Sequence, residues 1–99
     1  MSFRVRYAKA ARSDLRRLNI HLAAKEARAS RRARTIIAKA MTLLEKFPFT
    51  CRKAAADSPR LGELVIDFGG AGYVALFAIE DAHTVTVLAV RRQREDDLL

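Results

Sequence analysis

Hydrophobic and polar positions change period along the chain, and each change marks an element. Phe3-Arg4-Val5-Arg6-Tyr7 alternates apolar and basic residues, the period of a half-buried strand. Phe3, Val5 and Tyr7 should face a core, with Arg4 and Arg6 outside. The period then becomes helical. Ala11, Leu15, Leu18 and Leu22 fall on one face of a first helix, and Arg12, Arg16, Arg17 and Lys25 lie off it. Asp14, near the start, is placed to favour the helix dipole. Ala33, Ile36, Ile37, Ala40, Leu43, Leu44 and Phe47 give a second, clearer stripe, and Pro48 stops it. The linker around Glu26 to Ser30 has no Gly or Pro, and the two helices can pack as an antiparallel hairpin.

The second half reads as strands. Residues 49–62 hold Pro59 and Gly62 without sustained periodicity, so a loop is expected there. Leu64 to Phe68 is a strand, Gly69-Gly70-Ala71-Gly72 a turn, and Tyr73 to Ile79, apolar on both faces, a central strand. Glu80 to His83 forms a polar hairpin loop before a β-branched last strand from Thr84 to Arg91. The expected fold is α+β: an N-terminal strand, a helical hairpin, then a three-strand antiparallel meander, in one domain over residues 1–99. The first strand must pair away from its sequence neighbours. One sheet face is left without helix cover. Whether Val74, Leu76 and Ala78 or Tyr73, Ala75, Phe77 and Ile79 point outward, that face is apolar, the mark of a partner site.

Composition narrows the function. The chain has 99 residues, about half of them hydrophobic, enough for one modest core. No apolar run reaches the roughly 20 residues that span a bilayer, and no signal-peptide core opens the chain, so a cytoplasmic protein is expected. Charge is uneven. Residues 1–53 carry 15 Lys and Arg against 3 Asp and Glu, and the remainder 4 against 8. An acidic partner is expected at the first half, either nucleic acid or an acidic protein segment.

Candidate chemistry is sparse. Cys51 is alone, which excludes an intrachain disulfide and a cysteine metal site, and no His lies near it in sequence. His21 and His83 lack metal-ligand spacing, and the adjacent side chains of Asp96 and Asp97 diverge. The Gly69–Gly72 cluster lacks a following Lys-Ser/Thr and precedes a strand, so it is no phosphate loop. No metal or cofactor is expected. Arg91, Arg92 and Arg94 cluster at the end of the last strand. They could stabilise a phosphorane-like transition state, but arginine does not serve as a general base, and no His, Tyr or Lys follows. The residues argue against a nuclease and for a contact patch.

Several segments carry a family likeness over nearly the whole chain. They are Ala11-Arg12-Ser13-Asp14-Leu15, Leu43 to Pro48, Glu63-Leu64-Val65-Ile66, Gly72 to Phe77, and Val87 to Arg91 followed by Arg94-Glu95-Asp96-Asp97. Together they resemble the ParE branch of the ParE/RelE toxins of bacterial type II toxin–antitoxin modules, also called plasmid stabilisation proteins. Gly62, Arg92 and Leu98 stand where that subgroup usually has Arg, His and an aromatic, and Phe77 replaces a common Tyr.

The resemblance implies a toxin that inhibits DNA gyrase by direct binding, without catalysis. Its implied partner is a ParD-type antitoxin with a ribbon-helix-helix head and an acidic tail, operator DNA being contacted only through that antitoxin. Target contacts are then expected at Arg91, Arg92, Arg94 and Glu95, with Tyr73 and Glu63 in support. Antitoxin contacts are expected at Arg16, Arg31 and Arg34 and on the outer sheet face at Val74 and Leu76, with a tail adding a strand to a sheet edge. Two rival readings stay open: a ribosome-dependent messenger-RNA endonuclease of RelE type, and a degenerate, non-toxic module that still binds its antitoxin.

Overall fold

A computed structural model describes residues 2–68 and 71–92. In chain order it contains β1 (Arg4–Tyr7), α1 (Lys9–Lys25), α2 (Ala27–Lys46), a 3-10 turn (Pro48–Thr50), β2 (Arg52–Ala55), β3 (Ser58–Phe68), β4 (Ala71–Ile79) and β5 (Thr84–Arg92). The strands form one sheet in the order β1-β5-β4-β3-β2. The α+β class stands, with two changes to the topology. β1 pairs parallel to β5 in an otherwise antiparallel sheet, and the meander has four strands, β2 to β5.

The extra strand lies where a loop was expected. Arg52-Lys53-Ala54-Ala55 has no β-branched or aromatic residue, so its own propensity is low. Pairing with β3 recruits it: Arg52 lies opposite Glu63, and Arg52 Nε donates to Glu63 Oε1 at 2.9 Å. The register shifts between Lys53 and Ala55, and Pro59 sits within that irregularity. Proline costs little there because no ladder N–H is required of it. At the other end, Phe68 pairs with Ala71. Ala71 and Gly72 therefore belong to β4, although the glycine-rich composition reads as turn.

β5 is longer than its neighbour. β1 covers it only from Thr84 to Val87, and the Ala8 N–H donates to the Val87 carbonyl where the chain turns into α1. β5 also bulges: Leu76 pairs with Ala89 but Phe77 with Val87, leaving Leu88 extra. A bulge reverses which face later residues occupy. Val85 and Val87 are buried before it, Val90 after it.

The helices meet at one extended residue, Glu26, rather than a longer linker. The Ser30 hydroxyl, buried between them, donates to Asn19 Oδ1. Ala11 and Leu22 of α1 are buried, with Leu15 and Leu18 packed on the core. In α2 the buried set is Ser30, Ala33, Met41 and Leu44. Leu43 and Phe47, which the stripe places inside, are 44% and 55% exposed. The helix rolls so that Met41 fills the core, and Leu43 and Phe47 lie on its outer flank. Phe49 is also exposed and meets Phe3 edge-on.

Asp14 does not serve the dipole. α1 starts at Lys9, so Asp14 lies beyond the first turn. Its Oδ2 accepts from the Val90 N–H at 2.9 Å, and its Oδ1 accepts from Arg17 at 2.6 Å. Val90 points that N–H toward the strip that β1 has vacated. A helix carboxylate thus completes the sheet edge.

The core lies between the hairpin and the inner face of the sheet. Tyr73, Ala75, Phe77 and Ile79 of β4 face it, and Val74, Leu76 and Ala78 face out. Phe77 and Gly62 are cross-strand partners. A Cβ on Gly62 would lie 2.4 Å from the tip of the Phe77 ring. Glycine is needed here for space, because the ring occupies the place of a side chain.

Two stability predictions follow from these contacts. Asp14→Ala leaves the Val90 N–H without its partner and should cost about 1–3 kcal/mol, lowering Tm by on the order of 10 °C. Asp14→Asn keeps an acceptor and should cost less. Thermal melts check both, and a D14A melt at the wild-type Tm would rule out this role. Gly62→Ala overpacks the Phe77 ring and should cost about 1–3 kcal/mol. The double variant Gly62→Ala/Phe77→Leu should recover part of that loss relative to Phe77→Leu alone, which a double-mutant cycle by urea denaturation reads directly.

Candidate functional site

Helix α1 presents two stripes. One packs on the sheet. The other, Asp14, Arg17, Leu18 and His21, follows i, i+3, i+4, i+7 spacing. The Asp14–Val90 hydrogen bond sets the rotation of the helix and brings this second stripe over the ends of β4 and β5. Between them opens a cleft of about 470 Å³. Tyr73, Val90, Arg91 and Arg92 form its sheet side.

The cleft is cationic. Arg17, Arg91, Arg92 and His21 are exposed at its rim, while Leu18, Tyr73 and Val90 supply apolar wall. Among the described residues its one carboxylate, Asp14, is already engaged by Arg17 and by the Val90 N–H. The bulge in β5 decides which arginine sits where. Arg92 pairs with Tyr73 on the helix side, and Arg91 pairs with Val74 on the outer side. Tyr73 is only 4% exposed and is first a core residue; it borders the cleft without standing free in it.

The residues expected to meet a target are thus divided. Arg91, Arg92 and Tyr73 come together at the cleft. Glu63 does not join them. It lies opposite Leu76 on β3, across the sheet from the helices, and is paired with Arg52. Arg94 and Glu95 lie outside the described residues. Arg17 and His21 were absent from the expected set. Their signal was the helical spacing from Asp14, which the neighbouring Arg12 and Arg16 on the same helix obscured.

The residues expected to meet an antitoxin form two further surfaces. Val74 and Leu76 share the half-exposed outer sheet face with Glu63 and the exposed Val65. Arg16 and Arg34 border a groove of about 370 Å³ between the helices, floored by Leu22, Ala33 and Met41. Arg31 is not at that groove. It stands with Arg28 and Arg32 on the far turns of α2.

The sequence matches the family model described as the ParE toxin of the type II toxin–antitoxin system, parDE, over residues 5–97. The chain belongs to the ParE toxin family. Among solved structures it is similar to a chain of the "Chromosomal ParDE TA system from P. aeruginosa", with a TM-score of 0.72 and 14% identity, covering 92% of this chain and 96% of that one. At that identity the likeness shows a common fold. No curated protein matches.

Among the described residues no group of three or more His, Cys, Asp and Glu side chains is set to hold a metal. No helix is long and apolar enough to cross a membrane. Burial raises the Tyr7 phenol above its ordinary value, and the nearby Glu45 charge adds to the shift. Burial likewise raises the Cys51 thiol. The backbone N–H of His83 holds the Asp81 carboxyl below its usual range. Each shift leads away from neutral pH, where a general base works best.

Tyr7 and Cys51 favour the protonated form when folded. Their contribution to stability is complete below the ordinary thiol and phenol values of 9.0 and 10.0, and is lost as pH rises through the higher folded values. The Tm should therefore fall on the alkaline side, and Tyr7→Phe should make that fall shallower. Melts at stepped pH would show it; an identical alkaline slope in Tyr7→Phe would exclude Tyr7 as a source.

Proposed function

We propose that this protein is the toxin of a ParD–ParE pair, that it arrests growth by binding DNA gyrase, and that a ParD-type antitoxin neutralises it. The observation that carries the reading is the family match, which runs through nearly all the chain. The physical features support binding rather than catalysis. The arginines at the cleft offer charge and hydrogen bonds but no proton acceptor, and Asp14, which could orient the His21 imidazole as a base, is bonded instead to Arg17 and the Val90 N–H. The basic first half suits an acidic antitoxin tail, which the apolar outer face and the groove at Arg16 and Arg34 would seat. Operator DNA is then met through the antitoxin.

The test is a gyrase supercoiling assay with the antitoxin-free protein. Inhibition or trapped DNA cleavage, relieved by the antitoxin, is the expected result. Arg91→Ala with Arg94→Ala should weaken inhibition by on the order of tenfold or more, as expected for loss of two charged contacts. Unimpeded supercoiling by folded protein, with transcripts cut in growth-arrested cells, would instead establish the RelE-type reading.

A further inference from the structure

We infer that the cleft between α1 and the ends of β4 and β5 is a binding site for a phosphate ester, supplied by a nucleotide or a nucleic-acid strand. The site is built from both sides. Arg17 and His21 reach it from successive turns of α1, and Arg92, with Arg91 beside it, from the end of β5. Arginines from both walls, with the His21 imidazole beside them, border a volume of about 470 Å³, within the range of small-ligand clefts.

Three features favour phosphate over a carboxylate. First, the cleft already contains a carboxylate, Asp14, and the geometry gives it to Arg17 and Val90. Arg17 retains further N–H donors, and Arg92, on the helix side of the sheet, adds its own. Second, donors approach from two walls. A phosphate offers acceptor oxygens in several directions, where a planar carboxylate offers two in one plane. Third, Leu18 and Val90 provide apolar wall beside the cations, room for a sugar or base edge, and lower local screening.

The site does not rest on gyrase being the target. It is a property of the isolated chain, and it can be tested without gyrase or antitoxin. A fluorescein-labelled single-stranded DNA 12-mer is titrated with the protein by anisotropy at low and physiological salt. Adenosine monophosphate and a glutamate 12-mer serve as competitors. Arg17→Ala and Arg92→Ala should each weaken oligonucleotide binding about tenfold. His21→Ala should weaken it less. Arg4→Ala/Arg6→Ala, which removes two exposed charges on β1 far along the chain from the cleft, should change it by less than about twofold.

Competition by adenosine monophosphate near its own affinity would assign the site to nucleotides, and binding by the 12-mer alone would assign it to a strand; both uphold it. Equal loss in the β1 double variant would reduce the binding to diffuse charge and overturn the site. So would displacement by the glutamate peptide as readily as by nucleotide, or no binding by folded protein. Arg92→Ala, at an exposed strand end, keeps the test decisive if Arg17→Ala compromises folding through Asp14.

Discussion

The hydrogen bond from the Val90 N–H to Asp14 sets the geometry of everything near the C-terminal end of the sheet. β1 is short, so β5 runs past it with a donor facing an empty strip. A buried donor left there would cost about 1–3 kcal/mol. α1 covers much of the strip, and Val90 is 7% exposed although it borders the cleft. The carboxylate of Asp14 fills the position a strand carbonyl would have taken. Once that contact forms, the helix cannot rotate freely. Ala11 and Leu15 turn onto the core, and Arg17 and His21 turn over the end of the sheet. A structural hydrogen bond thereby shapes the cationic cleft.

A second constraint on the core is one of volume. Phe77 fills the space that a side chain at position 62 would take, and the two residues lie on paired strands. In this chain a Cβ at position 62 would overlap the ring, and glycine without the ring would leave a void costing several kcal/mol for so large a side chain.

Much of this was legible in the pattern of residues. The strand at Phe3–Tyr7, both helices, and the strands from Leu64 onward follow from period and from where Gly and Pro fall. What was not legible depends on partners distant in sequence. β2 has poor intrinsic propensity and exists because β3 pairs with it. The roll of α2 depends on which of Met41 and Leu43 meets the sheet, a choice that a stripe containing both cannot make. The role of Asp14 spans 76 positions in sequence. The cleft shows the limit most clearly. A period of two continued from Val85 and Val87 would carry Arg91 to the helix side, and the bulge at Leu88 brings Arg92 there instead.

The surfaces differ in chemistry and also in how they connect. The outer sheet face, with Glu63, Val74 and Leu76, is separated from the cationic cleft by the thickness of the sheet. A partner seated on that face alone would leave the cleft open. The interhelical groove is different, because Leu18 lines both the groove and the cleft. A segment lying in the groove past Arg16 and Arg34 would reach the rim of the cleft without crossing the sheet. Acidic residues at the end of such a segment would meet Arg17 and His21 and compete for the same charge. Masking of the cleft therefore depends on how far a partner runs along the helices, and not on how tightly it holds the sheet.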